Sequence, residues 1–596
     1  MFDYRRTHTC GELNRSYLTQ IVTLSGWVHR RRDHGGLIFI DLRDRYGITQ
    51  LIFDPAIVSK EMFAHASRLR SEWVISIKGI VIPRAEGMTN PKLLTGEIEI
   101  QVEELEILSS AKTPPFSICD EETEVNEELR LKYRYLDIRR GDISKKLEMR
   151  HRTCLATRNY MSNHGFLEIS TPILAKSTPE GARDYLVPSR IYPGNFYALP
   201  QSPQIFKQLL MVSGMDRYFQ IATCFRDEDL RADRQPEFTQ IDLEMSFATP
   251  EDLMHLLEGL VATIFKECIE IEIIKKFPRM KYRDCIENYG TDRPDLRFGM
   301  PLIRIDDIAQ RSSFGVFLEQ LSAGGCVKAI CIKDGADISR KEIESYQQFV
   351  NKFGLNGLAW MKKTTEGLSS SIVKFFSQDL LDELTSRLKI EQNDLVLIAA
   401  APEDRVNQAL DHLRRKIARD RNLINPDDLN FLWVTDFPLM RWNAEEGRLE
   451  SEHHPFTSPN LEDLSLLDNA PLKVRALAYD LVLNGYEIGG GSQRIHNSEL
   501  QEKIFRALQL KPEEIRDKFG FFVEALQYGT PPHLGFAFGL DRMVMVLCKT
   551  ENIRDVIAFP KTQKGSDLMM QCPSKVAAKQ LDELKLKTEP VEITWI

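Results

Sequence analysis

The stretch Tyr218–Phe247 constrains the fold more than any other part of this sequence. An apolar run ends at Phe225, and a second run that alternates apolar and polar residues follows about a dozen positions later. The polar loop between them carries Arg231 and Arg234. This pattern predicts two antiparallel strands joined by a long charged loop. Such a loop is either a solvated hairpin tip or a binding loop for an anionic ligand, and the pattern alone favours the tip.

The length and charge of the chain limit the classes of protein it can belong to. Its 596 residues correspond to roughly four domains. The net charge of −9, from 78 basic and 87 acidic residues, argues against a protein that coats nucleic acid nonspecifically. Local basic patches on a large enzyme remain compatible with this charge.

The cysteines and the apolar runs indicate where the protein resides. Ten cysteines are scattered without a CxxC pair or a Cys/His cluster at zinc spacing, so we expect reduced thiols. No apolar run approaches the roughly 20 residues that cross a bilayer, and the first residues lack a signal-peptide core. These features predict a cytoplasmic protein.

The first 108 residues have the pattern of a small β-barrel. Three short strands, a helical stretch at about 58–70 and two further strands form the order of an OB-fold, whose second and third strands bind oligonucleotides. On that face the sequence places arginines for phosphate, an aromatic side chain for stacking and an amide for a base edge. These candidates are His29, Arg30, Arg31, Arg32, Phe39, Arg43, Arg45 and Gln50. A solubilising basic edge with Phe39 in the core is the alternative.

Composition divides the rest of the chain into five parts. Residues 109–143, with two adjacent prolines and an acidic run, are predicted to form a linker that ends in a helix. Residues 291–425 alternate strand-like and helical stretches, which is typical of an inserted α/β domain. The remaining parts are 144–290, 426–570 and a short extension at 571–596.

Three later segments have residue types that suit a nucleotide site. In Gly535–Arg542 two glycines four apart precede an arginine, and a guanidinium can contact a purine or a phosphate where glycine permits close approach. Asp480 and Glu487 flank a strand and turn near three glycines, and such carboxylates can hold Mg²⁺ together with phosphates. Helix packing and a polar strand edge are the alternatives. The pair His453–His454 is a poor chelate and indicates a substrate loop or an ordinary surface pair.

Taken together, these segments resemble the class II aminoacyl-tRNA synthetases, and among them the bacterial-type aspartyl enzymes. Phe166–Pro172 is similar to motif 1 of the family, Phe225–Phe238 to motif 2 and Gly535–Arg542 to motif 3. The segments Thr178–Asp184, Gln201–Lys207, His453–Phe456 and Glu487–Arg494 are similar to its aspartate signatures. The resemblance covers nearly the whole chain and reverses the preference for a solvated tip.

The resemblance implies an α+β fold. It comprises an N-terminal five-stranded OB-fold barrel for the anticodon, a catalytic domain on an antiparallel sheet flanked by helices, and an inserted GAD-type α/β domain. The catalytic domain would occupy 144–290 and 426–570. Motif 1 implies a homodimer.

The resemblance also implies a role for individual residues. Arg226 and Arg542 would be the catalytic cations. The ATP site would comprise Arg226, Asp227, Glu228, Gln235, Phe238, Glu487, Gly539, Leu540, Asp541 and Arg542, and Mg²⁺ would be held by Asp480 and Glu487. The aspartate site would comprise Glu180, Gln204, Lys207, Arg226, Asp242, His453 and Arg494.

The implied activity is ATP-dependent attachment of aspartate to tRNA. Lys207 and Arg494 suit a substrate carboxylate, and we expect asparagine to be rejected because its neutral amide would leave both cations unpaired. The two cations also disfavour a lysyl or asparaginyl enzyme. The presence of Arg226, Arg542 and both magnesium carboxylates disfavours a non-catalytic RNA-binding paralogue.

Anticodon contacts are implied for Arg30, Phe39 and Gln50, and discrimination between tRNAs for His34 and Gly87. Family members that also charge tRNA-Asn tend to have histidine where His34 stands, whereas those restricted to tRNA-Asp commonly have leucine. We therefore expect aspartylation of both tRNA-Asp and tRNA-Asn. Strict specificity for tRNA-Asp is the alternative, with His34 a tolerated loop residue. Arg231 and Arg234 would face the acceptor end of the tRNA.

Overall fold

The computed structural model describes residues 3–120, 123–178 and 182–589. The chain divides into two compact units. The first comprises Met1–Arg150, Leu230–Ala232 and Thr550–Lys575, and the second comprises His151–Asp229, Asp233–Lys549 and Val576–Ile596.

The N-terminal segment of the first unit is a closed five-stranded barrel in the order β1-β2-β3-β5-β4. Its elements are β1 (Ile21–His34), β2 (Leu37–Arg43), β3 (Ile48–Phe53), α1 (Lys60–Arg68), β4 (Val74–Pro83) and β5 (Ile98–Ser109). Inward-facing apolar residues of every strand fill the interior, as the period-two alternation requires. The OB-fold prediction is confirmed.

The apolar run predicts a first strand over Ile21–Val28, whereas β1 extends six residues further, to His34. The turn after it consists of Gly35 and Gly36, which have φ of +60° and +83°. Two residues with positive φ match the right-handed twist of the flanking strands. The arginine run therefore lies on a strand, with its side chains opposite β2.

The rest of the first unit is held by buried ion pairs. Helices α2 (Glu127–Lys132) and α3 (Arg134–Asp137) follow the barrel. Arg134, which is 2% exposed, pairs with Asp137 at 2.6 Å and donates to the carbonyl oxygens of Arg554, Ile557 and Ala558. Within the same unit the Ala232 carbonyl accepts a hydrogen bond from Ile553 N at 3.1 Å. The tip of the charged loop thus has a main-chain partner.

The second unit is built on an eight-stranded sheet in the order β11-β17-β20-β21-β22-β10-β9-β6. The chain up to the insertion contains α4 (Gly141–Asn163), β6 (Leu167–Glu168), β7 (Leu186–Pro188), β8 (Phe196–Ala198), α5 (Gln204–Val212), β9 (Arg217–Phe225), β10 (Glu237–Ser246), α6 (Pro250–Ile269), β11 (Arg279–Lys281) and α7 (Tyr282–Tyr289). Six central strands pair antiparallel. Only the two edge strands pair parallel to their neighbours. The predicted hairpin of Tyr218–Phe247 is β9–β10.

The insertion is a five-stranded antiparallel sheet in the order β12-β13-β16-β14-β15. Its elements are β12 (Ile303–Arg304), α8 (Asp306–Gln310), α9 (Gly315–Ser322), β13 (Cys326–Ile332), α10 (Arg340–Asn351), β14 (Ala359–Thr364), β15 (Gly367–Ser369), α11 (Gln378–Arg387), β16 (Leu395–Ala401) and α12 (Glu403–Asp420). Helices α10 and α12 cover one face of this sheet, and α8, α9 and α11 cover the other. The α/β prediction for the insertion is confirmed.

After the insertion the chain returns to the large sheet. The remaining elements are β17 (Phe431–Thr435), β18 (Met440–Asn443), β19 (Arg448–Ser451), β20 (Ala478–Leu483), β21 (Tyr486–Gln493), α13 (Ser498–Ala507), α14 (Pro512–Ala525), β22 (His533–Gly539), α15 (Leu540–Leu547) and α16 (Ala578–Leu584). Short 3₁₀ turns lie at Arg15–Tyr17, Gly335–Asp337, Val373–Phe375, Leu461–Leu466, Pro471–Lys473, Leu526–Tyr528 and Ile553–Asp555. Within the described ranges no helix has the length and apolarity needed to cross a membrane.

Candidate active site

One face of the large sheet forms a floor with a carboxylate at each end. A single cross-strand row over four strands comprises Asp480, Gly490, Ala537 and Asp242. Because neighbouring strands lie about 4.8 Å apart, Asp480 and Asp242 are separated by about 14 Å. The two positions between them have the smallest side chains. The floor between the carboxylates is therefore open enough to seat a ligand.

Two glycines let carboxylates lie directly over the neighbouring strands. A Cβ added at Gly490 would lie 2.5 Å from Asp480 Oδ1, closer than real Cβ contacts come. A Cβ added at Gly535 would overlap Glu244 Oε2. Close approach of backbone to a polar group is a common reason for glycine within a strand.

Four charged side chains form a buried cluster around the Asp242 end of the floor. Lys207 and Arg494 are each 2% exposed, and Asp242 and Glu244 are 0% exposed. Lys207 Nζ lies 2.6 Å from Asp242 Oδ1 and 3.4 Å from Glu244 Oε2. Arg494 donates to both oxygens of Glu244, from Nε at 2.9 Å and from Nη2 at 3.2 Å. Two cations and two carboxylates thus balance each other inside the protein.

This balance corrects one expectation from the sequence. Asparagine was expected to be rejected because its amide would leave both cations unpaired, but Asp242 and Glu244 already pair with them. Burial raises the pKa of Glu244, yet the charge of Arg494 outweighs it and the pKa is lowered. Burial raises the pKa of Asp242 in spite of Lys207. Selection against asparagine therefore needs a different physical reason.

Two further donors of Arg494, both on Nη1, are also engaged. Its Nη1 lies 2.6 Å from His454 Nε2 and 2.5 Å from Ser492 Oγ. Burial and the charge of Arg494 keep the pKa of His454 well below its ordinary value, so this ring is neutral beside the guanidinium. The guanidinium is held in one orientation by three side chains.

Several buried polar atoms beside the cluster have no hydrogen-bond partner among the described residues. These atoms are Asp242 Oδ2, Gln204 Nε2 and His453 Nδ1. A buried polar group without a partner is costly, so such atoms mark where a ligand or water supplies one. All three belong to residues predicted for the aspartate site. Glu180, the other acidic residue predicted there, lies outside the described residues.

The motif 2 and motif 3 residues meet farther along the same sheet. Arg226 directly follows β9, and its Cζ lies 5.0 Å from the ring centroid of Phe238 on β10. Arg542, on the first turn of α15, reaches back across the floor to Asp233 Oδ2 at 3.2 Å and to the Glu487 carbonyl at 3.0 Å. Two arginines and one aromatic ring therefore belong to the β9–β10 and β22–α15 junctions.

The other residues predicted for the nucleotide lie around these junctions. Asp227 is exposed, and Glu228 pairs with Arg234 at 2.9 Å. Gln235 is 3% exposed. Asp541 accepts from Thr239 N at 2.8 Å, which ties α15 to β10. Gly539 ends β22, and Leu540 begins α15.

Asp480 and Glu487 lie on the two arms of the β20–β21 hairpin. Burial and the nearby charge of Glu487 raise the pKa of Asp480 to about 6, while His453 Nε2 lies 3.8 Å from Asp480 Oδ1. In the part of the chain that the structure describes, no three His, Cys, Asp or Glu side chains are arranged to hold a metal ion. Mg²⁺ characteristically uses one or two carboxylates together with substrate phosphates, so this pair fits such an ion when nucleotide is present.

The predicted anticodon residues share the outer face of the barrel. Arg30, Asp41 and Gln50 form one cross-strand row, and Phe39 lies in the next row opposite Arg32. Arg32, one of the candidates named for the oligonucleotide-binding face, donates to Gln50 Oε1 at 3.1 Å.

On the same barrel, Gln50 in turn donates to the buried Glu99 at 2.6 Å. His34 is exposed at the end of β1, and Gly87 has φ +77° in the loop between β4 and β5. Both discrimination candidates thus lie at exposed positions of this barrel, one at a strand end and one in a loop.

Sequence reasoning missed Glu244, His454, Ser492 and Glu99. Glu244 lies two positions after Asp242, so strand alternation places both carboxylates on one face. That signal was present, but polar residues of an alternating strand are ordinarily taken for the solvent side. His454 was considered only as one of an adjacent pair.

Comparison with known protein families covers most of the chain. The family described as tRNA synthetases class II (D, K and N) matches residues 126–563, and the OB-fold nucleic acid binding domain matches residues 22–108. The chain is 66% identical over 595 residues to the aspartate–tRNA(Asp/Asn) ligase of Protochlamydia amoebophila (strain UWE25), spanning 100% of this chain and 99% of that protein. It is 57% identical to the ligase of the same name from Chlamydia caviae, spanning 98% and 99%.

Solved structures show the same fold at lower sequence identity. Asparaginyl-tRNA synthetase from Pyrococcus horikoshii, complexed with asparaginyl-adenylate, aligns with a TM-score of 0.59 at 20% identity over 93% of this chain and 98% of that one. A putative aspartyl-tRNA synthetase from Leishmania major aligns with a TM-score of 0.59 at 18% identity over 94% of each chain. With its family match over most of its length and relatives of such identity, the chain belongs to the class II aminoacyl-tRNA synthetases, in the group of the aspartate, lysine and asparagine enzymes.

Proposed function

We propose that this chain is an aspartate–tRNA ligase that charges both tRNA-Asp and tRNA-Asn. The observation that carries the proposal is the buried cluster of Lys207, Asp242, Glu244 and Arg494. Its two carboxylates lie on β10, in the same sheet whose strands β9 and β22 lead into Arg226 and Arg542. Relatives 57–66% identical to this chain bear the name aspartate–tRNA(Asp/Asn) ligase.

In the first step the α-carboxylate of aspartate attacks the α-phosphorus of ATP. A bond forms between the carboxylate oxygen and phosphorus, and the bond to pyrophosphate breaks. The carboxylate is already ionised at neutral pH, so this step needs no general base. Arg226 and Arg542 neutralise the charge that develops on the phosphoryl oxygens, and Phe238 stacks on adenine. Asp480 and Glu487 would hold Mg²⁺, which supplies further neutralisation of phosphate charge when bound.

In the second step the 3′-terminal adenosine of the tRNA accepts the aspartyl group. Its ribose hydroxyl attacks the carbonyl carbon of aspartyl-adenylate, and the bond to AMP breaks as AMP leaves. The barrel face around Gln50 and Phe39 would contact the anticodon. Arg231 and Arg234, at the loop between β9 and β10, would contact the acceptor end.

Selection of aspartate over asparagine depends on which atoms of the buried charged cluster donate hydrogen bonds and which accept them. The substrate ammonium group would donate to Asp242 Oδ2, and Gln204 Nε2 would donate to an oxygen of the substrate. Both atoms lack partners among the described residues. The side-chain carboxylate would accept from Lys207 and Arg494, both of which carry only donors. An asparagine amide would instead turn a donor toward these donors. A site built for hydrogen bonding can discriminate by about 10⁴–10⁵-fold in this way.

Aspartate-dependent exchange of pyrophosphate into ATP tests the first step, and aspartylation of purified tRNA tests the second. We expect exchange with aspartate and none above background with asparagine or lysine. A non-catalytic RNA-binding paralogue would give no exchange with any amino acid. Exchange with asparagine or lysine would assign the chain to a different member of its family.

Charging of tRNA-Asn provides a prediction for His34. The wild-type protein is expected to aspartylate both purified tRNAs. Replacing His34 by leucine should reduce kcat/KM for tRNA-Asn by about tenfold, the effect of one lost base contact of 1–3 kcal/mol, and leave tRNA-Asp nearly unchanged. His65→Leu, on the exposed side of α1, serves as the control. If wild-type protein leaves tRNA-Asn uncharged, the dual specificity is wrong.

A homodimer is proposed from a concentration of exposed apolar side chains around the motif 1 segment. The exposed members are Leu155, Leu167, Ile173, Leu174, Leu186, Ile191, Tyr192, Phe196 and Tyr197. Ile173 and Leu174 are 52% and 51% exposed although both are large and apolar. Apolar patches of this kind characteristically mark association surfaces.

The dimer prediction is tested by sedimentation equilibrium. Wild-type protein is expected at twice the mass of the chain, and Leu174→Asp should shift it toward the monomer because a charge would be buried in the interface. Tyr528→Asp alters an apolar residue that is even more exposed, at 74%, and lies outside the motif 1 segment, so this variant should stay dimeric. A monomeric wild type at micromolar concentration would contradict the proposal.

A further inference from the structure

The two chain segments that connect the insertion to the large sheet meet the same hairpin turn. Residues 290–302 lead into the insertion, and residues 421–430 lead out of it. The turn is Asn484–Gly485, between β20 and β21. Their φ values of +53° and +83° are those of a two-residue hairpin turn. Asp480 lies four residues before this turn, and Glu487 lies two residues after Gly485.

On the outgoing side the turn is held by three hydrogen bonds. Asn484 Oδ1 accepts from Asn430 N at 2.9 Å, and Asn484 Nδ2 donates to the Asp428 carbonyl at 2.8 Å. The backbone N of Asn484 donates to the Asn430 carbonyl at 3.2 Å. One side chain thus fixes the turn to the last residues before β17.

On the incoming side the turn packs against Asp295. A Cβ added at Gly485 would lie 3.0 Å from the Asp295 Cβ, so the two residues are in close contact. Asp295 is 4% exposed, and its carboxylate pairs with Arg297 at 2.7 Å. Its carbonyl accepts from Arg414 Nη2 at 2.9 Å.

Arg414 connects this incoming segment to the core of the insertion. It lies on α12, whose apolar face, including Leu410, Leu413 and Ile417, packs into the insertion. The guanidinium is 0% exposed and also donates to the Gly299 and Met300 carbonyls at 2.5 Å and 3.2 Å.

Two aromatic rings enclose the same guanidinium. Its Cζ lies 4.9 Å from the ring centroid of Tyr289 and 4.5 Å from that of Phe298. A continuous path of packed groups therefore runs from the insertion core through Arg414 and Asp295 to Gly485.

We propose that the inserted domain braces the β20–β21 turn, and that Arg414 and Asn484 are positioning residues for the hairpin that carries Asp480 and Glu487. The inference rests on the proposed assignment of those two carboxylates to the nucleotide. The hairpin belongs to the large sheet, and among the described residues its turn bonds to Asp428 and Asn430, which follow the insertion, and packs against Asp295, which precedes it. A displaced turn would move Glu487 first because it is the nearer of the two carboxylates.

Two variants test the brace, each with a matched control. Asn484→Gly keeps a residue that tolerates positive φ but removes the side-chain bonds to 428 and 430. Its control is Asn393→Gly, since Asn393 has φ +71° in a turn inside the insertion. Arg414→Met keeps the apolar length but removes the three carbonyl bonds. Its control is Arg311→Met, which breaks the contacts of Arg311 with Glu383 and the Asp307 carbonyl within the insertion.

The first measurement is amide hydrogen exchange of peptides spanning residues 478–493 in the ligand-free protein. Loss of two hydrogen bonds in Asn484→Gly and of three in Arg414→Met should speed amide hydrogen exchange of this hairpin by about tenfold. The controls should exchange there like wild type. If the amide hydrogens of the hairpin exchange at the wild-type rate in both variants, the proposed brace is wrong, whatever the melting temperatures of the variants. If Arg414→Met fails to fold, the result for Asn484→Gly alone tests the brace.

The second measurement separates the brace from the nucleotide assignment. In pyrophosphate exchange both variants should raise KM for ATP several-fold and leave KM for aspartate within about twofold, as expected when only the nucleotide side moves. Asp480→Asn should raise KM for ATP as well. Faster amide hydrogen exchange of the hairpin with a wild-type KM for ATP in all three variants would support the brace. It would also show that Asp480 does not bind the nucleotide.

Discussion

Replacing Arg226 by alanine is expected to abolish aspartate-dependent ATP–pyrophosphate exchange. Arg226 lies where β9 leaves the sheet, with its guanidinium 5.0 Å from the Phe238 ring. In the proposed mechanism it contacts both the α-phosphate and the substrate carboxylate, so its loss removes alignment and charge stabilisation together. Loss of one preorganised donor alone costs about 10²–10³-fold in rate. We expect exchange below the detection limit and a wild-type melting temperature within about 2 °C, since the side chain is not in the core.

Arg217→Ala is the matched control for this experiment. Arg217 lies at the opposite end of the same strand, also stacks on a phenylalanine, with its Cζ 5.8 Å from the Phe166 centroid, and donates to the His164 carbonyl. Its replacement should leave KM values for ATP and aspartate unchanged. Near-wild-type exchange in Arg226→Ala would remove Arg226 from the reaction centre.

Replacing Glu244 by glutamine is expected to raise KM for aspartate by about 10²-fold, because breaking a buried charge pair costs 2–5 kcal/mol. The amide nitrogen would face the donors of Arg494 and Lys207, and one positive charge would be left without its partner. Loss of the Glu244 charge leaves the cluster with a net positive charge, which attracts the substrate carboxylate. Arg494 also loses its fixed orientation, and this loss has the larger effect because such a site tolerates only about 0.5 Å of displacement. Pyrophosphate exchange as a function of aspartate concentration measures this KM. KM for ATP should change little.

Glu258→Gln separates this effect from simple loss of stability. Glu258 is a second buried carboxylate, which accepts from Phe277 N, Trp433 Nε1 and Arg279 away from the floor. Both variants should lose a few kcal/mol of unfolding free energy, but only Glu244→Gln should change KM for aspartate. A lower KM in Glu244→Gln would mean that Glu244 competes with the substrate for Arg494.

Local sequence patterns predicted much of the fold because several elements carry their own signals. The alternation in Tyr218–Phe247 is the β9–β10 hairpin, and Gly535–Arg542 is a strand that runs into a buried helix, as its glycines and apolar residues indicate. The extension of β1 to His34 was missed because charged residues rarely define a strand. Its signal was the Gly35–Gly36 turn, which fixes the length of both flanking strands.

The site was predictable only in part because its energetics depend on which residues meet across strands. The resemblance pointed to Lys207 and Arg494, but not to the carboxylates that neutralise them. Glu244 contacts Arg494, which lies 250 positions later in the chain, and no local pattern specifies such a pair. The same holds for the turn at Asn484, whose partners at 428 and 430 lie 54 to 56 residues earlier.

The open floor between Asp480 and Asp242 limits how this active site can change in evolution. Its central positions are Gly490 and Ala537, and any larger residue at the first would collide with Asp480. The depth of the cleft at Gly490 is therefore set by main chain, which substitutions cannot lower further. A change of amino-acid specificity must therefore alter the side chains beside the floor, which are Lys207, Arg494 and the carboxylates paired with them. Because those four charges balance, single replacements pass through an unbalanced intermediate, which favours retention of the existing specificity.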